Sequence, residues 1–356
     1  MIWLTWRQFR AQSAAALAAL AMFAVLLAVT GPHLASLYAA SGISSCQGSG
    51  CRGVADNFLG QLDAGGIYPV LYLLGIALIL IVPAVIGIFW GAPLVAREVE
   101  TGTHYLVWNQ SITRGRWLAV KLILIGLVAM AVTEGLSLML AWWAMPIGWA
   151  VEHGGTASRI AMNQFSPLVF ASHGITPLAY AAFAFALGVT TGALTRSTLP
   201  AMAITLAVFT AFQVAMPLWV RPHLFQPDHT ITTFSSINDI GFTRSTGPSS
   251  QGTFTFTAGA LASDPGAWVL SSGAVDAAGN PISNVPAACM HPAAATPDAA
   301  MDSTLDCLDR EGVRVAVTYQ PASRYWTFQW TEAAIYLALT VALAGYCFLR
   351  VSRRVG

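Results

Sequence analysis

Residues 96–117 read AREVETGTHYLVWNQSITRGRW, and how this stretch is read decides the fold. It holds Arg97, Glu98, Glu100, Arg114 and Arg116 in a protein of which only 9% is charged, and strongly apolar segments flank it on both sides. A charged loop between two apolar runs fits a connection outside a bilayer, and its charge density marks it as a docking surface. Outward from it, the chain of 356 residues is 56% hydrophobic, above the share expected of soluble domains. A span needs about 20 mostly apolar residues to cross roughly 30 Å of hydrocarbon. Six stretches qualify: Ser13 to Thr30, Tyr68 to Trp90, Leu118 to Met145, Thr176 to Leu194, Leu199 to Val220 and Thr331 to Leu349.

An even number of spans puts both termini on one side. Short loops rich in Lys and Arg stay in the cytoplasm. Arg7, Arg10, Arg97, Arg114, Arg116, Lys121, Arg196, Arg350, Arg353 and Arg354 share one side, and the short loops opposite carry only Arg52 and Arg159. Both termini are therefore expected in the cytoplasm. The first span follows charged residues and lacks a convincing cleavage signal, so it reads as an uncleaved anchor. Cys46, Cys51, Cys289 and Cys307 all fall on the opposite, oxidising side, where disulfides persist. Pairing neighbours gives Cys46 with Cys51 and Cys289 with Cys307, one of the three connectivities that four cysteines allow. Cys347, inside the last span, reads as a small buried hydrophobe.

The expected architecture is an all-α polytopic membrane protein with six transmembrane helices, an N-terminal interfacial helix and a small, mostly β extracytoplasmic domain between spans five and six. Residues 1–220 form the membrane domain, with the cytoplasmic coupling loop at 96–117; residues 221–330 form the outer domain; residues 331–356 hold the sixth span and the cytoplasmic C-terminus. Met1 to Arg10 (MIWLTWRQFR) segregates Ile2, Trp3, Trp6 and Phe9 from its polar residues, as a headgroup-level helix does, although the frayed start of span one would look similar. Pro32 to Gly66 reads as a loop without a period. Pro83 should kink span two, with Gly87, Gly91 and Pro93 loosening the end that follows. Small residues in span four (Gly188, Thr191, Gly192) permit close helix approach.

Glu134, within span three, is costly in hydrocarbon and must face the bundle interior or water. It reads either as a proton or substrate site or as a hydrogen-bonded clamp between helices. Residues 221–330 hold nine of the sixteen acidic residues and alternating runs at Thr253 to Thr257 and Val313 to Tyr319, which read as strands, with a turn at Gly279 to Pro281. At the outer boundary PASRYWTFQWTE carries an aromatic belt, and Arg324, Trp326 and Glu332 are candidates for a polar gate there.

Catalytic signatures are missing. The single lysine, Lys121, is followed by Leu122, which excludes a phosphate-binding loop of the GxxxxGK[ST] kind, and neither HExxH nor GxSxG occurs. His223 and His229 beside Asp228 are a weak metal pattern, and ordinary surface histidines explain them better. No metal site, no catalytic residue and no nucleic-acid partner is expected.

The loop, with Glu98, Gly102 and Thr103 followed by Trp108, Gln110, Ser111, Thr113, Arg114, Arg116 and Trp117, resembles the cytoplasmic segment of type-2 ABC exporter permeases, in particular an actinobacterial branch. MIWLTWRQFR and PASRYWTFQWTE are similar to that branch as well. The resemblance implies a permease of six spans paired with a second permease copy, while two separate ATPase subunits bind ATP and Mg. Its coupling helix maps onto Arg97 to Val107, with Arg97, Glu98, Glu100, Gly102 and Thr103 meeting the ATPase. It further implies export of an amphiphilic cargo (drug, peptide, lipid or glycan) from the cytoplasm or inner leaflet of a bacterial plasma membrane, along spans one, two and five. The large outer domain departs from smaller members. Two other readings stay open: a proton-coupled secondary transporter using Glu134, and a ligand-sensing membrane scaffold.

Overall fold

The computed structural model describes residues 2–46, 51–100, 114–156, 158–245, 253–261, 263–282, 289 and 297–354. Six helices are long and apolar enough to cross a membrane: Ala14–Ser41, Ile67–Arg97, Ala119–Glu152, Thr176–Thr195, Thr198–His223 and Ala322–Arg350. The all-α architecture with six spans and a small sheet-bearing domain is therefore present. With six spans, both chain ends and the 2–3 and 4–5 connections share one face, called here the terminal face. The segment between spans five and six lies at the other, the domain face.

Span four is the hub. Of its most apolar window 78% is buried, against 6% in span one. Its sequence, rich in Ala, Gly and Thr, explains the position, because small side chains let other backbones come close. A Cβ on Gly188 would stand 2.2 Å from the Gly87 carbonyl oxygen, and one on Gly192 would stand 2.3 Å from that of Ala92. In return, a Cβ on Gly91 would stand 2.6 Å from the Phe185 carbonyl oxygen. Spans two and four thus touch backbone to backbone in their terminal-face halves, and Gly87 and Gly91 serve that contact rather than loosening the helix.

Span two stays helical past Pro83 through a π turn at Gly87–Gly91 and continues as Ala92–Glu100. Span five has a matching π turn at Met216–Val220, then a 3₁₀ turn at Arg221–His223. The extra residue of a π turn offsets the face that follows. Leu218 and Trp219 face outward while Arg221 is turned inward and left 1% exposed.

The first helix runs unbroken over Ile2–Ser41, so the expected interfacial segment is continuous with span one. Its 40 residues are about 60 Å long, roughly twice the hydrocarbon thickness. The stretch expected as a structureless loop, Pro32 to Gly66, is largely helical: the first helix continues to Ser41, and a second covers Cys51–Gly65. Cys51, Ala55, Phe58, Leu59 and Leu62 form a buried stripe on it, a helical period concealed by the Gly and Asp residues between them. Cys46 is bonded to Cys51, the first residue of that second helix.

On the domain face, among the described residues, five strands form two antiparallel sheets. Strands β1 (Asp228–Thr232), β4 (Trp268–Val275) and β5 (Arg314–Gln320) make one, in the order β1-β5-β4, and β2 (Ile237–Ser245) pairs with β3 (Thr253–Leu261) in the other. The alternating runs read as strands lie in β3 and β5. Asp276 holds the turn at Gly279, where φ is +86°, by accepting from the Ala278 and Asn280 amides. A helix at Pro297–Arg310, absent from the expected β domain, carries Cys307, bonded to Cys289. The domain sits on the bundle through an aromatic cluster in which Phe165, Phe170 and Phe328 are buried against Phe225, Trp268 and Tyr325. Asn163 Nδ2 adds a 2.8 Å bond to the Ala267 carbonyl.

Candidate functional site

The charged stretch that drew attention first begins on the helix Ala92–Glu100, at the terminal face. Arg97 and Glu100 are both exposed there. Gly102 and Thr103 lie outside the described residues, as does the Glu98 side chain. Glu100 reaches across to span five: Oε1 accepts the Thr198 backbone N–H at 2.8 Å and Oε2 accepts the Thr198 hydroxyl at 2.6 Å. Thr198 is the first residue of that helix, whose own N-cap, Ser197, makes no side-chain capping bond. A carboxylate from span two therefore supplies the cap, where the positive end of the helix dipole favours an anion. The Thr198 hydroxyl first, then its backbone N–H and the Ser197 hydroxyl, hold the Glu100 carboxyl below the usual glutamate range. Together with the glycine contacts, this bond ties the terminal end of span two to spans four and five.

A second polar cluster lies deep in the domain-face half. Glu332 is wholly buried and bonded to Arg221 through two atoms: Nε to Oε2 at 2.9 Å and Nη2 to Oε1 at 3.1 Å. The Tyr180 hydroxyl donates to the same Oε1. The Arg221 guanidinium stacks over the Phe170 ring, 3.8 Å from its centroid, and its Nη1 is buried with no hydrogen-bond partner. This buried pair joins spans five and six and brings in Tyr180 of span four.

The three candidates for an outer gate are thus dispersed. Glu332 faces inward to Arg221; Arg324 holds the Asp228 carboxylate at 3.0 Å and the Gln226 carbonyl at 2.8 Å; Trp326 is 56% exposed and packs edge-on to Tyr325. Arg221, Tyr180 and Gln329 went unnoticed in the sequence. Gln329 accepts from the Ile175 and Thr176 amides, both at 3.2 Å, so it closes the N-terminus of span four, and it donates to the Phe170 and His173 carbonyls. An ionisable residue at each end of the gap between spans five and six was the available signal for the pair.

Glu134, half-buried in span three, takes a hydrogen bond from the Leu178 backbone N–H at the start of span four, while its Oε2 has no partner. Such a bond clamps the two spans together. His223 bonds the Trp219 carbonyl and His229 the Thr318 hydroxyl, so neither turns toward Asp228. Among the described residues no three His, Cys, Asp or Glu side chains converge as metal ligands would.

Six apolar helices around a small-residue hub, with a charged helical extension at one face, define a multi-pass membrane protein. The chain belongs to the family described as ABC-2 membrane transporter related, which matches residues 17–221, more than half its length. This family supplies the permease component of ABC transporters and implies association with an ABC ATPase. The match ends at Arg221, before the sheet-bearing domain and span six. No curated protein and no solved structure matches the chain.

Proposed function

We propose that this protein is the permease subunit of an ATP-driven exporter in a bacterial plasma membrane, its terminal face in the cytoplasm. Two copies pair, two separate ATPase subunits bind ATP and Mg, and an amphiphilic substrate leaves the cytoplasm or inner leaflet. The observation that carries this reading is the fastening of the helix Ala92–Glu100 to spans four and five, by the Gly87, Gly91, Gly188 and Gly192 contacts and by Glu100 on Thr198. A push on Arg97 and its neighbours is then transmitted to the hub of the bundle, because close-packed interiors transmit strain instead of absorbing it. The basic residues on the terminal face support its assignment to the cytoplasm.

Co-purification with a candidate ABC ATPase subunit tests the reading. The pair Glu98→Ala with Gly102→Pro is expected to abolish ATPase capture and stimulated hydrolysis while leaving the thermal stability of the isolated permease unchanged. Unaltered capture and hydrolysis would overturn the docking assignment. Accumulation of a lipophilic dye in inverted vesicles, with ATP added outside, reads the direction; ATP-driven loss of dye from them would reverse it.

A further inference from the structure

A pocket of about 390 Å³ opens sideways from the domain-face half of the bundle, between spans two, four and five and the short helix Pro167–Ser172. Its volume lies in the range of about 300–1,000 Å³ typical of small-molecule sites. The residues at its mouth, Ile81, Leu168 and Leu206, are 56%, 45% and 47% exposed, on a surface that faces acyl chains in a bilayer. An occupant therefore enters from the membrane, not from water.

Span five supplies one whole wall. Leu206, Thr210, Gln213, Pro217 and Arg221 succeed each other at steps of four, three, four and four, a single helical stripe. At 1.5 Å per residue the stripe is about 22 Å long, so the pocket is a slot along the helix. Its deep end is apolar and its domain-face end is polar, the same order as the acyl chain and linkage region of a lipid in that leaflet. Arg221 Nη1 is buried in the pocket wall without a hydrogen bond, beside the polar side chains of Gln213 and Thr210. A polar group left unpaired in hydrocarbon costs several kcal/mol, so a pocket that strands the Arg221 Nη1 beside two further polar side chains is suited to a hydrogen-bonding partner.

Charge decides which partner. Glu332 already neutralises Arg221. An anion brought beside this pair would leave a net negative charge in an apolar wall, at a desolvation cost that one shared guanidinium does not repay. An uncharged group that accepts and donates hydrogen bonds meets the Gln213 amide and the Arg221 N–H without that cost. We propose that the pocket holds an uncharged ester-linked membrane lipid, with its acyl chain along Leu206 and Leu80 and its ester and hydroxyl groups against Gln213 and Arg221. The site belongs to the permease alone, so it stands or falls independently of the ATPase docking.

The test uses the full chain in nanodiscs and a monoacylglycerol carrying a photoreactive diazirine in its chain. Saturable labelling is expected on Leu80–Ala84 and Leu206–Pro217, competed by unlabelled monoacylglycerol but not by the matching alkane or alkyl sulfonate. Gln213→Leu should weaken competition about tenfold, the value of one lost hydrogen bond in an apolar site. Leu206→Trp, which fills the mouth from an exposed position, should remove the labelling without moving the melting temperature. Labelling that does not saturate, equal competition by the alkane, or indifference to Gln213→Leu would reduce the pocket to ordinary lipid contact. Stronger competition by the sulfonate would make it an anion site. Either result overturns the proposal, and Gln213→Leu decides alone should the tryptophan variant fail to fold.

Discussion

Where spans two and four meet near the terminal face, backbone lies against backbone with nothing between; where spans four, five and six meet near the domain face, a buried arginine, glutamate and tyrosine stand between them. The first contact is steric. Glycine pairs at this distance fit one register only, and no side-chain rotation can relieve a mismatch. The second is electrostatic, and a buried ion pair contributes little net stability while strongly penalising any arrangement that parts it. The terminal half is thus suited to passing on a displacement, and the domain half to fixing which faces of spans five and six meet. The unpaired Arg221 Nη1 of the lateral pocket belongs to the second half, where polar side chains already serve the packing.

Glu332→Ala should have the largest effect, because it strands a fully buried guanidinium. About 3–5 kcal/mol of stability is expected to be lost, read from thermal or denaturant unfolding in detergent. The double replacement Arg221→Met with Glu332→Leu removes both charges and should stay within about 1–2 kcal/mol of the parent. If the single change proved as mild as the double, the pair would not be closed from water, and the contrast between the halves would weaken. Gly188→Ala follows, with an added carbon aimed at a backbone carbonyl that cannot swing away. About 3 kcal/mol is expected, the upper end of overpacking costs, despite the better helix propensity of alanine. A Gly188→Ala variant as stable as the parent would show that spans two and four slide past each other readily.

Glu134 offers a smaller and more discriminating test. Glu134→Gln keeps an acceptor for the Leu178 N–H and should change stability by less than about 0.5 kcal/mol, whereas Glu134→Leu should cost about 1–3 kcal/mol. Transport that survives Glu134→Gln and an uncoupler supports the clamp. Transport lost to both, yet indifferent to ATP depletion, would restore the proton-coupled alternative.

These contrasts also explain what the sequence could disclose. The spans were legible because apolar length is a local property, and the β3 and β5 runs were legible because alternation is local too. The Gly188, Thr191 and Gly192 stripe was visible, but its counterpart was misread: Gly87 and Gly91 beside Pro83 resemble a loosened helix end when nothing shows the span they face. The helix Cys51–Gly65 was overlooked because its glycines dilute a stripe that is otherwise regular. Arg221 and Glu332 are 111 residues apart, on opposite sides of the sheet-bearing domain, and no periodicity connects them. A partner chosen by tertiary packing leaves no mark on either residue's neighbours. In the charged segment 96–117, charge density singled out Arg97 and Glu100, while the bond from Glu100 to Thr198 depends on how the span four–five hairpin folds back.

That bond gives the smallest expected effect and the one that bears most directly on force transfer. The Glu100 carboxyl titrates below the usual glutamate range because Thr198 bonds its charged form. A depressed folded value means that the contribution is fully present above the ordinary glutamate pKa and is lost as pH falls through the lowered one. The protection of the Thr198 amide, taken relative to its intrinsic exchange rate at each pH, should accordingly stay high at neutral pH and fall only in acid, below the range where free glutamate titrates. Glu100→Gln retains an acceptor but removes the charge, so protection at Thr198 should become lower and constant over that window, with global stability nearly unchanged because the site is exposed. Under the proposed mechanism the same variant should still capture the ATPase while hydrolysing ATP with less transport per turnover. A variant that exchanges like the parent and transports like it would leave the glycine contacts as the sole link between span two and the rest of the bundle.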